Sequence, residues 1–412
     1  MAIPGRQQQT GIWILGALGD IASTLTVGTL AIGKGLASRA GLVSELSPMS
    51  ELDLVPLDSL VIGGQDIRHQ RLIEAVEGVY RRSRTFTHEI LEAIREELAK
   101  IEDDIVRDEA FAWSTREPRP EAGSLQDLVV RQREMLRAFK KRHSLRHVVV
   151  VNLTSAEPQT ADNEGFRSLA QFVRLITENR KDLIPPSMIY AYAAFMEGCS
   201  HINFTPNVAA SIPALQALAE QQGVPHYGND GKTGETLVKT ALAPLFAHRH
   251  LRIMSWEGFN MLGNGDGKTL DNPANKAAKL QNKAQVLDDI LGYPVHSDIA
   301  INYVPSLGDW KTAWDLVHFQ GFLDVPMSLQ FTWQGCDSIL AAPLVLDMVR
   351  FSEFAARHGE SGPMHHLASY FKNPMEVEEM AFFPQFEQLL SYAQQHLATA
   401  REGKDSTLQV TG

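Results

Sequence analysis

Short apolar runs that end in turn residues predict buried strands along the first part of the chain. Such runs lie at residues 11–16, 60–63 and 147–152, and the last contains four consecutive valines. Continuous apolar runs are typical of parallel strands that are covered on both faces. The intervening segments show helical spacing, with one helix expected at 22–36 and one amphipathic helix at 89–105. This alternation of strands and helices predicts an α/β fold with a parallel sheet.

Beyond about residue 201 the hydrophobic pattern becomes typical of a mixed sheet. Residues 299–304 and 327–332 alternate between apolar and polar side chains, and turns rich in Gly, Asn and Asp recur nearby. Helical patterns return after about residue 339. We therefore expect a first domain over 1–200, completed by 346–412, and a mixed α+β domain over 201–345.

Composition and charge narrow the class of protein. Hydrophobic residues make up 44% and charged residues 21% of the 412 positions, which is typical of a globular chain. Asp and Glu outnumber Lys and Arg by 49 to 38, so we expect no nucleic-acid partner. No apolar run reaches about 18 residues, and we expect no membrane partner. The two cysteines, Cys199 and Cys336, predict reduced thiols in a cytoplasmic protein. Neither H-E-x-x-H nor C-x-x-C occurs, so no metal site is expected.

A glycine-containing turn after the first predicted strand indicates nucleotide binding. Gly16 to Ala22 fits the pattern G-x-x-G-x-x-A, a relaxed form of the dinucleotide-binding fingerprint. Small residues let the backbone approach a pyrophosphate, and the next helix offers N–H groups and the positive end of its dipole. The hydroxyl groups of Ser23 and Thr24 are further candidate donors. The alternative is a tight strand-to-helix turn that binds no ligand.

Asp66 follows the second predicted strand and is the candidate partner of a ribose. A carboxylate at this place accepts hydrogen bonds from ribose hydroxyl groups and disfavours a 2′-phosphate. Its distance along the chain from the glycine turn is longer than usual, and an inserted loop containing Pro48 and Pro56 accounts for the excess. The sequence therefore predicts NAD rather than NADP, provided that the turn binds a dinucleotide.

A series of polar segments in the second half of the chain carries a resemblance to a known family. In order along the chain, the segments are Asn203–Asn207, Gly228–Thr236, Leu262–Gly267, Lys279–Lys283, Gly308–Lys311, Cys336–Ser338 and Ser369–Lys372. Together they resemble the myo-inositol-1-phosphate synthase family, and the resemblance extends from Gly11 to about Pro374. It implies an NAD-binding Rossmann-like domain and a mixed α+β catalytic domain whose sheet joins subunits into a homotetramer.

The resemblance also implies a reaction. The family cyclises glucose 6-phosphate, a hexose 6-phosphate, to inositol phosphate, and its bound NAD is regenerated in each cycle. Oxidation at C5 makes the C6 proton removable, and the resulting enolate attacks the C1 aldehyde before the ketone is reduced. Negative charge develops on oxygen at every stage, and clustered ammonium groups stabilise such charge.

The family pattern places its functional residues on specific positions of this sequence. Its four active-site lysines fall on Lys279, Lys283, Lys311 and Lys372, and its acidic partners fall on Asp309 and Asp337. We expect Lys279 and Lys372 to transfer protons, and Lys283 and Lys311 to bind phosphate and oxyanions. The implied NAD-binding residues are Gly16, Leu18, Gly19, Asp20, Ser23, Thr24, Asp66, Asn152, Ser155, Asp230, Thr233, Asn264, Asp266, Asp337 and Ser338.

Three alternatives to glucose 6-phosphate cyclisation stay open at this point. A related cyclase on the same scaffold would act on another hexose phosphate, such as fructose 6-phosphate. A plain dehydrogenase would release NADH and consume NAD stoichiometrically. A regulatory protein would bind NAD without catalysis, and the presence of all four lysines argues against that reading.

Overall fold

A seven-stranded parallel sheet forms the centre of the protein. The computed structural model describes residues 9–112, 123–263 and 286–410. The strands are β1 (Thr10–Leu15), β2 (Leu60–Asp66), β3 (Ile105–Arg107), β4 (His147–Asn152), β5 (Ser200–Asn203), β6 (Pro225–Gly228), β7 (Arg252–Leu262), β8 (His296–Tyr303), β9 (Trp310–Gln320), β10 (Pro326–Cys336) and β11 (Gly362–Pro363). The parallel sheet has the order β11-β6-β5-β4-β1-β2-β3, which confirms the predicted α/β fold with a Rossmann-like sheet.

Helices cover both faces of this sheet. They are α1 (Asp20–Gly33), α2 (Leu72–Ser83), α3 (His88–Ala93), α4 (Arg95–Glu102), α5 (Leu125–His143), α6 (Leu169–Thr177), α7 (Pro186–Met196), α8 (Pro213–Gln222), α9 (Gly234–His248), α10 (Asp337–Arg357) and α11 (Phe382–Val410). Helices α1 and α10 pack on one face, whereas α5, α7 and α8 pack on the other. Among these described helices, none combines the length and the apolar character needed to cross a bilayer.

The valines of β4 show why the central strands read as continuous apolar runs. Val149 and Val151 point into the core beneath α1 and α10, and Val148 and Val150 point into the opposite core. All four side chains are fully buried. A strand whose two faces are both covered has no position for a polar side chain, so its sequence does not alternate.

A second sheet of four strands is formed between β6 and β11 of the parallel sheet in the sequence. Its order is β10-β9-β7-β8, with β7 and β8 parallel and the other pairs antiparallel, as expected for a mixed α+β region. Helix α9 packs on one face, where Phe246 contacts Trp256 and Phe319. The hairpin between β9 and β10 leaves the side chains of Phe322 and Leu323 largely exposed.

The parallel sheet extends further along the chain than the sequence analysis expected. Strands β5 and β6 belong to it, although residues 201–345 were assigned to the second domain. Both strands are only four residues long and are followed by Asn- and Gly-rich turns, so they lack the long apolar runs of β1 and β4. The division of the chain into two domains stays a prediction, and the four-stranded sheet begins only at Arg252.

Candidate active site

The turn between β1 and α1 needs glycine for steric reasons. Gly16 has a φ of +83°, and a Cβ atom there would lie 2.9 Å from the carbonyl oxygen of Leu153. The backbone N–H groups of Gly16 and Ala17 both donate to the carbonyl of Gln65, which joins the turn to β2. Gly19 precedes α1 and carries no side chain to cap it. The first N–H groups of α1 are therefore oriented towards the space above the turn.

A cleft of about 580 Å³ opens above this turn, at the carboxyl ends of β1, β2 and β4. Because β1 and β4 are neighbours whose connections run in opposite directions, this is the switch point at which parallel sheets bind nucleotides. Of the predicted NAD-binding residues, those that line the cleft are Gly16, Gly19, Asp20, Asp66, Ser155, Asp337 and Ser338, and Asp309 lines it as well.

Asp66 is buried and its carboxylate already has several partners. Leu18 N donates to Oδ2 at 2.9 Å, and the guanidinium group of Arg68 donates to both oxygens at 2.8 and 2.6 Å. Burial would raise the pKa of Asp66, but the hydrogen bonds and charge of Arg68 outweigh burial and hold the pKa below its usual value. Sequence reasoning missed Arg68, although a basic residue two positions after the acid was a visible signal.

Four of the predicted cofactor residues lie behind the cleft wall rather than on it. The side chain of Leu18 packs into the core, and only its backbone reaches Asp66. Asn152 is buried and its Oδ1 accepts hydrogen bonds from the backbone and hydroxyl of Thr154, so it supports the loop after β4. Ser23 and Thr24 are buried in α1, and their hydroxyl groups have no hydrogen-bond partner among the described residues.

Acidic groups meet at one end of the nucleotide cleft. Asp309 is buried, and its Oδ2 accepts hydrogen bonds from Ser338 N at 3.1 Å and from the Cys336 thiol at 3.0 Å. Asp20 forms an ion pair with Arg82 at 2.6 Å. Burial raises the pKa of Asp20, Arg82 opposes that rise, and the charge of Asp309 adds to it.

A second cavity of about 720 Å³, which we call the sugar pocket, adjoins the nucleotide cleft. Lys311, Lys372, Asp230 and Thr233 line it, and Asp337 belongs to the walls of both cavities. Lys372 Nζ donates to Asp230 Oδ1 at 2.9 Å, so the ammonium group is held at the pocket wall. The structure thus brings two of the four predicted lysines into one pocket with Asp337, one of their expected acidic partners. The other expected acid, Asp309, lines the nucleotide cleft instead, and the observed partner of Lys372 is Asp230, which was predicted to contact NAD.

The first turn of α9 faces the sugar pocket. Thr233 precedes this helix, but its hydroxyl donates to Asp337 Oδ1 at 3.1 Å instead of capping the helix. Gly234 has a φ of +59°, and a Cβ atom there would lie 3.6 Å from Lys311 Nζ. Backbone N–H groups and an ammonium group therefore converge on one region, which is an arrangement that binds phosphate.

The sequence analysis missed a buried ion pair in the same pocket. Glu235 and Lys239 both line it, and Lys239 Nζ lies 2.8 Å from Glu235 Oε1 with both side chains almost fully buried. Lys239 Nζ also lies 5.6 Å from the centre of the Trp256 ring. A Glu–Lys pair four residues apart on a helix is usually a solvated surface pair, so the sequence alone carried no signal of burial.

The remaining predicted site residues lie outside the part of the chain that the structure describes. They are Asn264, Asp266, Lys279 and Lys283, and their roles stay predictions.

Comparison with known proteins identifies the family. The family model for myo-inositol-1-phosphate synthase, which is a model of NAD-binding proteins, matches residues 10–393. The chain belongs to the myo-inositol-1-phosphate synthase family. Membership confirms the resemblance predicted from the polar segments, and it makes the protein an enzyme whose cofactor is NAD.

Curated relatives and solved structures of the myo-inositol-1-phosphate synthase family match nearly the whole chain. Inositol-3-phosphate synthase 1 of Bacteroides thetaiotaomicron is 34% identical over 390 residues, which cover 89% of each protein. Inositol-3-phosphate synthase of Trypanosoma brucei brucei is 28% identical over 393 residues, which cover 85% of this chain and 73% of the relative. The crystal structure of inositol-3-phosphate synthase from Caenorhabditis elegans matches with a TM-score of 0.81 at 25% identity. The matched region covers 94% of this chain and 86% of the Caenorhabditis elegans chain.

Proposed function

We propose that this member of the myo-inositol-1-phosphate synthase family is an isomerase that cyclises D-glucose 6-phosphate to 1D-myo-inositol 3-phosphate. One observation carries the proposal. The nucleotide cleft, which contains the glycine turn, and the sugar pocket, which contains the lysines, adjoin each other and share the lining residue Asp337. A hexose phosphate in the pocket would therefore lie beside a dinucleotide in the cleft, as internal oxidation and reduction require.

The residues of the cleft fit NAD. The N–H groups at the start of α1 would hold the pyrophosphate, because Gly16 and Gly19 line the cleft and no side chain caps the helix. Asp66 and Arg68 would face the adenosine ribose, and Ser155 and Ser338 the nicotinamide end. When bound, NAD supplies the reversible oxidation at C5 that makes the C6 proton acidic.

The residues of the sugar pocket would handle phosphate and protons. The first turn of α9 and Lys311 would bind the phosphate group, whose negative charge matches their N–H groups and ammonium group. Lys372, oriented by Asp230, would hold or transfer the proton at a hexose oxygen as its charge changes. Lys279 and Lys283 are proposed to complete the set, with Lys279 in proton transfer. Asn264 and Asp266 are proposed to contact the cofactor.

We also propose that the enzyme is a cytoplasmic homotetramer that joins subunits through the four-stranded sheet. The exposed apolar side chains of Phe259, Trp310 and Met327 on this sheet and Phe322 at its hairpin support a subunit contact. Both cysteines are free thiols, which supports a reducing compartment. Light scattering of the purified protein would test the assembly.

Product analysis tests the proposed reaction. The purified protein would be incubated separately with glucose 6-phosphate and with fructose 6-phosphate, each with NAD far below the substrate concentration. We expect many turnovers per NAD, an inositol phosphate from glucose 6-phosphate, and no accumulation of NADH. Conversion of fructose 6-phosphate alone would instead favour the related cyclase. Growth of NADH absorbance in proportion to turnover would indicate a dehydrogenase.

A further inference from the structure

Glu157 lies where the nucleotide cleft meets the sugar pocket. It belongs to the walls of both cavities, as do Leu153, Thr154 and Ala156 of the same loop. This loop follows β4, which pairs with β1 at the switch point of the sheet. Glu157 is therefore placed between the two ligand spaces, and none of the roles proposed above uses it.

The start of α7 holds this carboxyl group in a defined orientation. Ser187, the second residue of α7, donates its backbone N–H to Glu157 Oε1 at 2.9 Å and its hydroxyl to Oε2 at 2.5 Å. The backbone N–H of Glu157 donates in turn to Asn207 Oδ1 at 2.8 Å. A carboxylate has about four lone-pair positions, so each oxygen keeps one position for a further donor.

The electrostatic environment of Glu157 is unusual for a residue that only caps a helix. Burial raises the pKa of Glu157 to about 7, and the hydrogen bonds from Ser187 offset only part of that rise. Among the described residues, no lysine or arginine contributes to holding the carboxylate charged. Burial of a carboxylate without a cation costs free energy, whereas Ser or Asn caps a helix without burying a charge. A ligand that donates to the carboxylate would account for glutamate here.

We propose that Glu157 binds a sugar hydroxyl group at the junction of the two cavities, either on the nicotinamide ribose of NAD or on the hexose phosphate. The inference rests on the proposed function, because that function brings both sugars to this junction. A hydrogen bond from a hydroxyl group to a carboxylate is short and strong, so it fixes the position of the sugar that makes it. The hexose carbon and the nicotinamide ring would thereby be held in register.

The variant Glu157→Gln tests the contact, since the amide keeps the shape and one acceptor but loses the charge. Binding of NAD and of glucose 6-phosphate would be measured separately by calorimetric titration, with the thermal midpoint of unfolding as a check of the fold. We expect about a tenfold or larger loss of affinity for one ligand. Weaker NAD binding identifies the ribose as the source of the hydroxyl group, and weaker hexose phosphate binding identifies the hexose.

The pH dependence of binding gives a second, independent readout. Affinity for the ligand identified above should fall as pH decreases through about 7 in the wild-type protein, because protonation removes the negative charge that strengthens the hydrogen bond. The titratable groups that face this corner from other elements are Tyr190 on α7, Asp108 after β3 and Asp337 at the start of α10. Glu157→Gln should remove this pH dependence. Ser187→Ala should move it to higher pH, because the hydroxyl group favours the charged carboxylate.

The inference is wrong if Glu157→Gln binds both ligands with wild-type affinity and an unchanged pH dependence, since Glu157 would then be only a cap. If that variant does not fold, Ser187→Ala decides the question, and an unshifted pH dependence rejects the role. Failure of the proposed function is a separate result. It would appear as wild-type protein that makes no inositol phosphate, while the NAD titration still tests the ribose contact.

Discussion

Lys372 is the predicted active-site lysine whose partner in the sugar pocket is best defined. Its ammonium group is 2.9 Å from Asp230 Oδ1, and its backbone N–H donates to the carbonyl of the same residue. We expect Lys372→Ala to lower kcat by about 100-fold, the effect of losing a proton-transfer or oxyanion group. Lys372→Arg should not restore activity, because guanidinium stays protonated and differs in shape. Steady-state kinetics with glucose 6-phosphate would measure both variants.

The loss of activity in Lys372→Ala should arise in the sugar pocket and leave the nucleotide cleft unaffected. NAD affinity of Lys372→Ala is expected to equal that of the wild type. Lys279→Ala should resemble Lys372→Ala if the family pattern places it correctly. Lys100, an exposed lysine on α4, is the matched control, and Lys100→Ala should leave kcat unchanged. Similar losses at Lys100 and Lys372 would contradict the assignment.

Arg68 changes the expected basis of NAD selectivity. Asp66 alone would repel a 2′-phosphate, but Arg68 pairs with it and a guanidinium group can accommodate such a phosphate. We therefore expect Arg68→Ala to weaken NADP binding more than NAD binding, because the carboxylate of Asp66 loses its neutralising partner. Titration of both cofactors would give the ratio of dissociation constants. Arg81→Ala, at an exposed position on α2, is the control, and an unchanged ratio in Arg68→Ala would refute this role.

Gly16 in the turn from β1 to α1 and Gly28 inside α1 differ in backbone conformation and in the space around them. Gly16→Ala would place a methyl group 2.9 Å from the Leu153 carbonyl at a φ of +83°. We expect it to lower stability by about 1–3 kcal/mol and to weaken NAD binding. Gly28→Ala, inside α1 with nothing within 4 Å, should instead raise stability by up to about 1 kcal/mol. Urea unfolding with and without NAD would compare them, and equal effects would contradict the steric argument.

The predicted helix at 89–105 illustrates what periodicity can and cannot specify about an element. Ile94 and Leu98 are buried in one core, as their spacing predicted, and Leu91, which lies outside that spacing, is buried there as well. The segment nevertheless contains α3 and α4, which meet at Ile94 with φ −107° and ψ 3°, and it ends in β3. Because the same core faces both helices, the apolar period continues across the break. Spacing therefore identified the buried face but not the interruption.

Buried histidines should make the stability of the whole protein depend on pH. His201 and His226 are paired on β5 and β6 and fully buried, and burial lowers their pKa values to about 3 and about 4. In the unfolded chain, histidine binds a proton near its ordinary pKa of about 6.5. As pH falls, the histidines of the unfolded chain bind protons at a higher pH than those of the folded protein. The stability that the neutral buried histidines contribute is therefore complete above pH about 6.5 and is lost as pH falls towards 4.

His226→Gln measures this contribution. Between pH 6.5 and 5 the wild type should lose about 2 kcal/mol more unfolding free energy than the variant, because glutamine does not titrate. Taking the difference removes the opposite contribution of Glu157, whose pKa burial raises. His250→Gln, at an exposed position after α9, is the control. A difference that does not change with pH would contradict the lowered pKa of His226.

The sequence alone determined the class of fold, the family and the cofactor. Runs such as the valines of β4 encode burial on both faces, and the order of glycine, acidic and lysine segments encodes the family. Each run and each segment is a pattern of a few neighbouring residues, and the order of the segments is read directly along the chain.

Only the tertiary structure decided which residues share a cavity. In the structure Lys372 pairs with Asp230, Arg68 pairs with Asp66, and Glu157 lies at the junction of the two cavities. Ser23, Thr24 and Asn152, which were predicted to contact the cofactor, do not line the nucleotide cleft. Burial of the pair Glu235–Lys239 was equally invisible in the sequence. Such contacts join residues that are distant along the chain, and the electrostatic environment of each group depends on everything packed around it. No local pattern contains that information.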